Sequence, residues 1–308
     1  MTRRYLIRRI LVAVPVLLGT TLLIYAMAFA LPGDPIRRLA GQHRISESTH
    51  RAITERYHLD EPFAVQYWEY VKGIARGDLG ETFTGRDVSS IIAERFPVTL
   101  KLTLAAFAVE IVIGLIAAFV AALRRATFLD TFILVSTLVL ITIPVFVLGF
   151  TLQLMLGVKL KWLPVAGIQG GWAGYVLPAL VLGIGSAAAI GRIARSNLLD
   201  NLNSEQIKAA TARGLPRRRV LGAHVLKNSL VPIITILGLD LAALMGGAPI
   251  TETIFNLPGL GQMLILGVRT ENGPVVVGLV TLAALIFIGT NLLVDIICAA
   301  IDPRIRYG

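Results

Sequence analysis

The fold is decided by residues 175–193, which read YVLPALVLGIGSAAAIGRI. About 20 mostly apolar residues are enough for an α-helix to cross the hydrocarbon core of a bilayer. The segment is also rich in small residues, namely Gly183, Gly185, Ser186, Ala187, Ala188, Ala189 and Gly191. In lipid, such residues let two helix backbones approach closely. We therefore predict a membrane-spanning helix that lies near the centre of a helical bundle.

Five further apolar runs of spanning length flank this segment, at residues 10–31, 100–123, 128–157, 231–249 and 275–301. Of the 308 residues, 55% are hydrophobic and only 16% are charged, which is too few polar side chains to cover a soluble surface. The first run is longer than the apolar core of roughly 7–15 residues in a signal peptide, so we expect it to be retained. Pro144 is expected to kink the third span. The sequence thus predicts an all-α polytopic membrane protein with six transmembrane helices.

The basic residues indicate how these spans are oriented. The formal net charge is +10, and most Lys and Arg fall on one side of the predicted bundle. They are Arg3, Arg4, Arg8, Arg9, Arg124, Arg125, Arg304, Arg306 and the basic residues between 192 and 227. The short loops on the other side hold only Lys159, Lys161 and Arg269. Because cytoplasmic loops carry the excess of Lys and Arg, both termini are predicted to be cytoplasmic, in a bacterial inner membrane.

Residues 32–98 form a long outer segment that is expected to be partly helical. Apolar side chains recur at helical spacing at Phe63, Tyr67, Tyr70, Val71 and Ile74. Asp60 and Pro62 suit the start of this helix, and Gly77 and Gly80 suit its end. A shorter helix is indicated before it by Ile45, Ala52, Ile53 and Tyr57. We predict a small folded cap, which either only packs on the membrane domain or also docks a partner.

The chain then divides into an N-terminus with the first span (1–31), the outer segment (32–98), a five-helix core (99–301) and a cytoplasmic tail (302–308). The core includes a cytoplasmic loop at 199–229. Asn203 and Gln206 resemble a capping box at the start of a short helix over 207–213, which Gly214 and the following Pro216 end. A second helix is expected from Arg217 onward. The loop is therefore predicted to be a helical hairpin held between two spans.

Such a hairpin has two simple alternative interpretations. It could be a solvated basic loop that only enforces the topology, or a helix-turn-helix that binds DNA. A hairpin tethered at both ends to the membrane has little freedom to reach a major groove, so we expect no nucleic-acid partner.

Residues Ala209, Ala210 and Gly214, followed by Pro232, resemble the cytoplasmic EAA loop of binding-protein-dependent ABC importer permeases. In that family the short helix of the loop sits in a groove on the ATPase subunit and transmits its closure to the pore. Lys208 stands where the family has a glutamate. The resemblance implies an ATPase-coupling role for Ser204, Ile207, Lys208, Ala209, Ala210, Arg213, Gly214, Leu215 and Arg219.

Four further blocks extend this resemblance over nearly the whole chain. They are LPGDP at 31–35, RGDLG at 76–80, ETIFNLPGLG at 252–261 and DPRIRY at 302–307. They resemble the "B" subunit of dipeptide and oligopeptide permeases, a branch that also includes nickel and glutathione permeases. The resemblance implies the type I ABC importer permease fold and the uptake of di- or oligopeptides by alternating access.

The same resemblance implies the partners. They are a second homologous permease, two ATPase subunits or domains and an extracytoplasmic peptide-binding protein. The chain has no G-x-x-x-x-G-K-[ST] sequence, so it is not expected to be the ATPase or any other enzyme. ATP and Mg would be bound by the ATPases, and no cofactor or metal is expected on this chain.

Two other transport-related signals are weak. His43, His50 and His58 lie in the outer segment without metal-site spacing, so they are expected to be ordinary surface residues. An ion-driven secondary transporter remains the alternative from another class. Such proteins commonly show internal repeats, and none is visible here.

Polar residues inside the spans are the remaining candidates, because a charged side chain at the bilayer centre costs about 2.5–3.5 kcal/mol on insertion scales. They are Glu110, Gln153, Asp240, Asn291 and Asp295. Asn291 and Asp295 are four residues apart and are expected to share one helix face. The sequence leaves two roles open for the set: contacts between helices, or the lining of a substrate path.

Overall fold

A computed structural model describes residues 3–30, 47–82 and 85–301 of the chain. These residues form α-helices joined by turns and loops, with no β-strand among them. The outer segment contains α2 and α3, and the remaining helices form the bundle. The helices are α1 (Arg3–Phe29), α2 (Glu47–Arg56), α3 (Phe63–Ala75), α4 (Val88–Leu123), α5 (Phe128–Thr142), α6 (Val145–Leu152), α7 (Ala173–Leu202), α8 (Glu205–Ala212), α9 (Arg217–Arg219), α10 (Lys227–Met245), α11 (Pro249–Ile254), α12 (Leu260–Arg269) and α13 (Gly273–Ile301).

Within the described ranges, five helices are long and apolar enough to cross a membrane, and α5 together with α6 provides a sixth candidate. This sixth segment is broken, because its two halves meet at an angle of 101°. Pro144 precedes α6, and Ile143 before it adopts an extended conformation with ψ of 120°. The residue before a proline is driven out of the helical region by the pyrrolidine ring. The predicted kink at Pro144 is therefore confirmed, and the bend is large enough to divide the predicted span over 128–157 into two helices.

Several helices extend beyond the predicted apolar runs. Helix α4 begins at Val88 and continues through Pro97, well before residue 100. Helix α7 continues to Leu202, and the fifth span begins at Arg217 and runs without interruption through a π-helical stretch, Val220–Leu226, into α10. An apolar run marks only the part of a helix that sits in hydrocarbon, since polar residues beyond it can stay helical in water. The second helix of the hairpin and the fifth span are thus one continuous helix.

Helix α7 lies at the centre of the bundle, as its small residues predicted. In its most apolar stretch 56% of residues are buried, against 11–28% in the other four unbroken spans. A Cβ added at Gly183 would lie 2.6 Å from the carbonyl oxygen of Ala106, and one at Gly114 would lie 3.1 Å from that of Ala187. These glycines therefore allow α4 and α7 to run side by side in backbone contact.

The other spans surround this pair. Helix α10 runs antiparallel to α13, with Gly238 against Val294 and the Thr235 hydroxyl 3.5 Å from Sγ of Cys298. Helix α1 packs on the outside of α13. We call the end of the bundle that carries α8 and α9 the hairpin end. The short helices α11 and α12 lie at the opposite end.

The outer segment packs on the membrane helices. The predicted helix is present as α3, preceded by Pro62. The hydroxyl of Tyr67 donates a hydrogen bond of 2.8 Å to the carbonyl of Leu18 in α1, and that of Tyr70 lies 2.7 Å from the Thr281 hydroxyl in α13. Packing on the membrane domain is thus observed, whereas a docking role stays a prediction. Ile45, His43, the LPGDP block and the tail 302–308 lie outside the described residues.

Candidate functional site

The candidate coupling hairpin consists of α8, the turn at Gly214 and α9. Ser204 is the N-cap residue of α8, while Asn203 ends α7, so the predicted capping box at Asn203 is wrong. The hydroxyl oxygen of Ser204 is buried and has no hydrogen-bond partner among the described residues. Gly214 ends the helix with a φ of +76°, a backbone conformation that residues with a Cβ atom rarely adopt. The predicted glycine stop is confirmed.

One face of α8 is anchored to the bundle. Ile207 and Ala210 are buried, and Leu215 is half-buried against the same cluster. This cluster also contains Ala194 and Leu198 of α7. It also includes Val220, Val225, Ile233 and Leu237 of the fifth span and Ala118 and Ala122 of α4. The hairpin therefore rests on the hairpin end of α7 and of the fifth span through apolar contacts.

The other face of α8 is free of such contacts in the described part of the chain. The exposed candidate coupling residues are Lys208 and Ala209 on this face, Arg213 at the end of α8, Gly214 in the turn and Arg219 in α9. Lys208 forms an ion pair of 2.7 Å with Glu205, and both side chains are largely in solvent. Of the nine residues named from the sequence, three are anchored, five are exposed, and Ser204 is half-buried at the start of α8.

Two polar contacts support the base of the hairpin, and sequence reasoning missed both. The side-chain amide of Asn201 donates a hydrogen bond of 3.0 Å to the hydroxyl of Ser229, joining α7 to α10. Arg195 of α7 forms two hydrogen bonds of 2.8 Å with the carboxylate of Asp130 at the start of α5. Asp130 and Arg195 lie near the ends of apolar runs. From the sequence, charged residues at such positions indicate only how the spans are oriented, and not which side chains they contact.

The structure brings together two of the five polar residues within the spans. Glu110 of α4 is fully buried, and its carboxyl group faces that of Asp240 in α10. No N–H or O–H group of another described residue reaches either oxygen of Glu110 or Oδ2 of Asp240. Because one carboxylate cannot donate to another, a hydrogen bond between these groups requires a proton on one of them. The pair links α4 to α10 inside the bundle.

The other three polar residues lie elsewhere. The amide nitrogen of Gln153 donates to the carbonyl oxygens of Val165 at 2.7 Å and Ile254 at 3.4 Å, at the opposite end of the bundle. Asp295 forms an ion pair with Arg9 of α1, and Asn291 lines the groove between α1 and α13 beside them. Asn291 and Asp295 do share a face, and it is turned toward α1. The five residues therefore do not form one site.

A further buried carboxylate belongs to the ETIFNLPGLG block. Glu252 is fully buried, and its two oxygens accept hydrogen bonds of 2.8 Å from the hydroxyl of Thr99 and the backbone N–H of Gln262. Sequence reasoning used this block for its resemblance and did not single out Glu252. A charged residue within an otherwise apolar and glycine-rich stretch is the signal that could have found it.

Comparisons with known proteins show which family has this sequence and fold. Residues 110–307 match the family described as "Binding-protein-dependent transport system inner membrane component", and residues 1–103 match the N-terminal region described for such membrane components. The chain is 35% identical over 304 residues to "Glutathione transport system permease protein GsiC" of Escherichia coli O6:H1, covering 98% of this chain and 99% of that protein. The protein of the same name from Salmonella typhimurium is also 35% identical over 304 residues, with the same coverage.

Solved structures agree on the fold. The MetNI methionine ABC transporter in an inward-facing conformation has a chain that aligns with a TM-score of 0.54 and 20% identity, covering 70% of this chain and 97% of that one. An amino acid ABC transporter solved with histidines aligns with a TM-score of 0.51 and 18% identity, covering 70% and 94%. Taken with the family match over almost the entire sequence, this makes the chain a member of the binding-protein-dependent transport system inner-membrane family, that is, a permease subunit of an ABC importer.

Proposed function

We propose that this permease imports small peptides, with glutathione within its range, from an extracytoplasmic binding protein by alternating access. The sequence blocks resemble those of dipeptide and oligopeptide permeases, and the similar curated proteins are named for glutathione, which is itself a tripeptide. Peptides and glutathione share a flexible backbone with charged ends. One path could therefore serve both, with the binding protein selecting the cargo.

In this proposal the hairpin end faces the cytoplasm. Arg124, Arg125 and the run Arg217–Arg219 lie at that end, next to α8. The start of α1 and the end of α13 lie on one side of the bundle, since Arg9 pairs with Asp295. The positive-inside rule supports this orientation, because basic residues in short loops stay on the cytoplasmic side.

The observation that carries the coupling role is the division of α8 into two faces. Ile207 and Ala210 bind the helix to α7 and the fifth span, while Ala209 and Arg213 point away from the bundle. A partner that grips the exposed face would move the anchored face with it. The ends of two spans would then be displaced together, which is what a mechanical joint between an ATPase and a pore requires.

The partners follow from this arrangement. Two ATPase subunits, which would bind ATP and Mg, would each grip one hairpin, and a second homologous permease would supply the other half of the path. A single bundle of this size is not expected to enclose a peptide-wide passage. The binding protein would deliver cargo at the end opposite the hairpin.

The experiment is uptake by the full complex reconstituted in liposomes, with glutathione, a dipeptide, a longer peptide and Ni²⁺ as candidate cargo. Uptake of glutathione or a peptide that depends on ATP and on the binding protein supports the proposal. Uptake of Ni²⁺ alone, or uptake by the permease without any ATPase, contradicts it.

Gly214 offers a matched pair of variants for the coupling role. No described atom lies within 4 Å of a Cβ added there, so the positive φ and not space limits the choice of residue. Asn tolerates this conformation, whereas a β-branched residue does not. We expect Gly214→Val to lower uptake per ATP hydrolysed while the chain still inserts, and Gly214→Asn to stay close to the wild type. Equal uptake per ATP in both variants would show that the geometry of this turn does not matter for coupling.

A further inference from the structure

The ion pair between Asp130 and Arg195 joins two spans through two hydrogen bonds. Nε and one terminal nitrogen of Arg195 each donate a hydrogen bond of 2.8 Å to a different oxygen of Asp130. Asp130 also accepts 3.0 Å from the backbone N–H of Ala126. The side chains are only 6% and 18% exposed, respectively. Two parallel charge-assisted bonds fix both distance and orientation, so this contact is rigid.

Helix α5 packs on α4 and α7, but few of its side chains are fully buried. Its buried residues are Asp130 and Thr137, and the Thr137 hydroxyl bonds back to the carbonyl of Leu134 in the same helix. Large apolar residues such as Phe132 and Val135 face outward. Because lipid is as apolar as these side chains, their contact with lipid does not favour one position of α5 over another. The salt bridge therefore adds a directional polar contact to the apolar packing of α5 on α4 and α7.

Arg195 belongs to the part of α7 that carries the coupling hairpin. Its neighbours Ala194 and Leu198 pack in the same cluster as Ile207 and Ala210 of α8. One turn of α7 thus contacts α8 on one side and holds Asp130 on another. A displacement of α8 that moves this turn would move Arg195 with it.

The far side of α5 leads to the opposite end of the bundle. The chain turns by 101° at Pro144 into α6, where Gly149 lies against Ile254 and Phe255. Gln153 then donates to the carbonyl oxygen of Ile254. A continuous series of contacts therefore runs from the hairpin through Arg195 and Asp130 to α11.

We infer that Asp130 and Arg195 are positioning residues that make α5 move as one body with the hairpin end of α7, so that coupling-helix motion reaches the opposite end of the bundle. This inference rests on the proposed coupling function of the hairpin. A buried ion pair suits the role because breaking it leaves an uncompensated charge in a poorly solvated place. The pair therefore stays closed while the helices around it move.

The first test measures uptake per ATP hydrolysed by the full reconstituted complex. Asp130→Asn removes the charge with little change of shape, and Arg195→Lys keeps the charge without the two parallel bonds. We expect uptake per ATP to fall by at least about fivefold in Asp130→Asn, the lower end of typical coupling energies between sites, and less in Arg195→Lys. The exposed residues Asp200 and Arg192 of α7 provide matched controls as Asp200→Asn and Arg192→Lys, which should behave as wild type.

The second test measures whether α5 follows α7. Spin labels at Phe132 and Ile193, both exposed, report the distance between the two helices in a Cys298→Ala background. In the wild type this distance should stay the same between nucleotide-free and ATP-trapped complexes. In Asp130→Asn it should differ between the two states. A purely structural ion pair would lower the yield of complex and leave this state dependence unaltered.

The outcomes separate this inference from the proposed function. A wild-type complex that imports no cargo with ATP contradicts the proposed function itself. A wild-type complex that imports normally, combined with unchanged uptake per ATP in Asp130→Asn, contradicts only the role of the pair. The role of the pair is also contradicted if the distance between the two labels in the wild type differs between the nucleotide-free and the ATP-trapped complex. If Asp130→Asn does not assemble, Arg195→Lys must show both effects, and its wild-type behaviour in both tests would count against the inference.

Discussion

The hydroxyl of Thr99 donates a hydrogen bond of 2.8 Å to Oε1 of Glu252, although the two residues are 153 positions apart in the sequence. The same hydroxyl accepts 2.8 Å from the backbone N–H of Leu260, and the other oxygen of Glu252 accepts from Gln262. A buried carboxylate is tolerated when its oxygens are hydrogen-bonded in this way. These bonds fasten α11 and α12 to the start of the membrane part of α4.

Glu252→Gln is expected to destabilise the permease. The amide can accept only at its oxygen, so its NH2 group would have to donate to the Thr99 hydroxyl, and the uncharged oxygen left for the N–H of Gln262 is a weaker acceptor than a carboxylate. The free energy of unfolding should fall by about 1–3 kcal/mol. Thermal unfolding of the purified permease in detergent measures this. Glu94→Gln on α4 is the control, because its exposed ion pair with Arg86 contributes little; equal losses would show that the buried bonds contribute nothing special.

Gly183→Ala is expected to separate α4 from α7. The new methyl group would meet the Ala106 carbonyl oxygen at 2.6 Å and the side chain of Val109 at 2.7 Å, and backbone cannot yield cheaply. Overpacking of this kind costs about 1–3 kcal/mol. Gly185→Ala on the same helix is the matched control, since no described atom lies within 4 Å of its Cβ position. Thermal unfolding of the two variants should differ, and a Gly183 variant as stable as the Gly185 variant would contradict the close packing.

Glu110→Gln is expected to be tolerated, whereas Glu110→Leu is not. Glutamine can donate a hydrogen bond to Asp240, as a protonated Glu110 would, so we expect the link between α4 and α10 to persist. Leucine leaves the buried Oδ2 atom of Asp240 without that partner, at a cost of about 1–3 kcal/mol. Unfolding midpoints in detergent separate the two variants. A glutamine variant as unstable as the leucine variant would mean that the pair does not share a proton.

The neighbouring residues Ala209 and Ala210 are expected to respond differently to Trp. Ala209 is exposed, so Ala209→Trp should leave the permease stable but block the ATPase that is proposed to grip this face. Ala210 is 7% exposed, so Ala210→Trp should disturb the packing of the hairpin itself by about 1–3 kcal/mol. Co-purification with the ATPase and thermal unfolding measure the two effects. Normal ATPase binding by the Ala209 variant would argue against the coupling face.

Much of the fold could be predicted from local features. Apolar length located the spans, the small residues of α7 predicted its central place, and Gly214 marked the turn of the hairpin. Helix boundaries were less accurate, because α4 starts at Val88 on residues too polar to look membrane-embedded. The right-angle break after α5 was anticipated only as a kink, since a proline signals that a helix is disturbed without indicating how far the next one turns.

By itself, then, the sequence determined that the chain is a helical membrane protein of a transport family and where its hairpin lies. Only the tertiary structure decided which polar residues meet: Glu110 with Asp240, Asp130 with Arg195, and Asp295 with Arg9. The physical reason is that helices which are apolar on every side carry no signal for the direction in which a side chain points. Partners on different helices are therefore set by how the bundle packs and not by spacing along the chain.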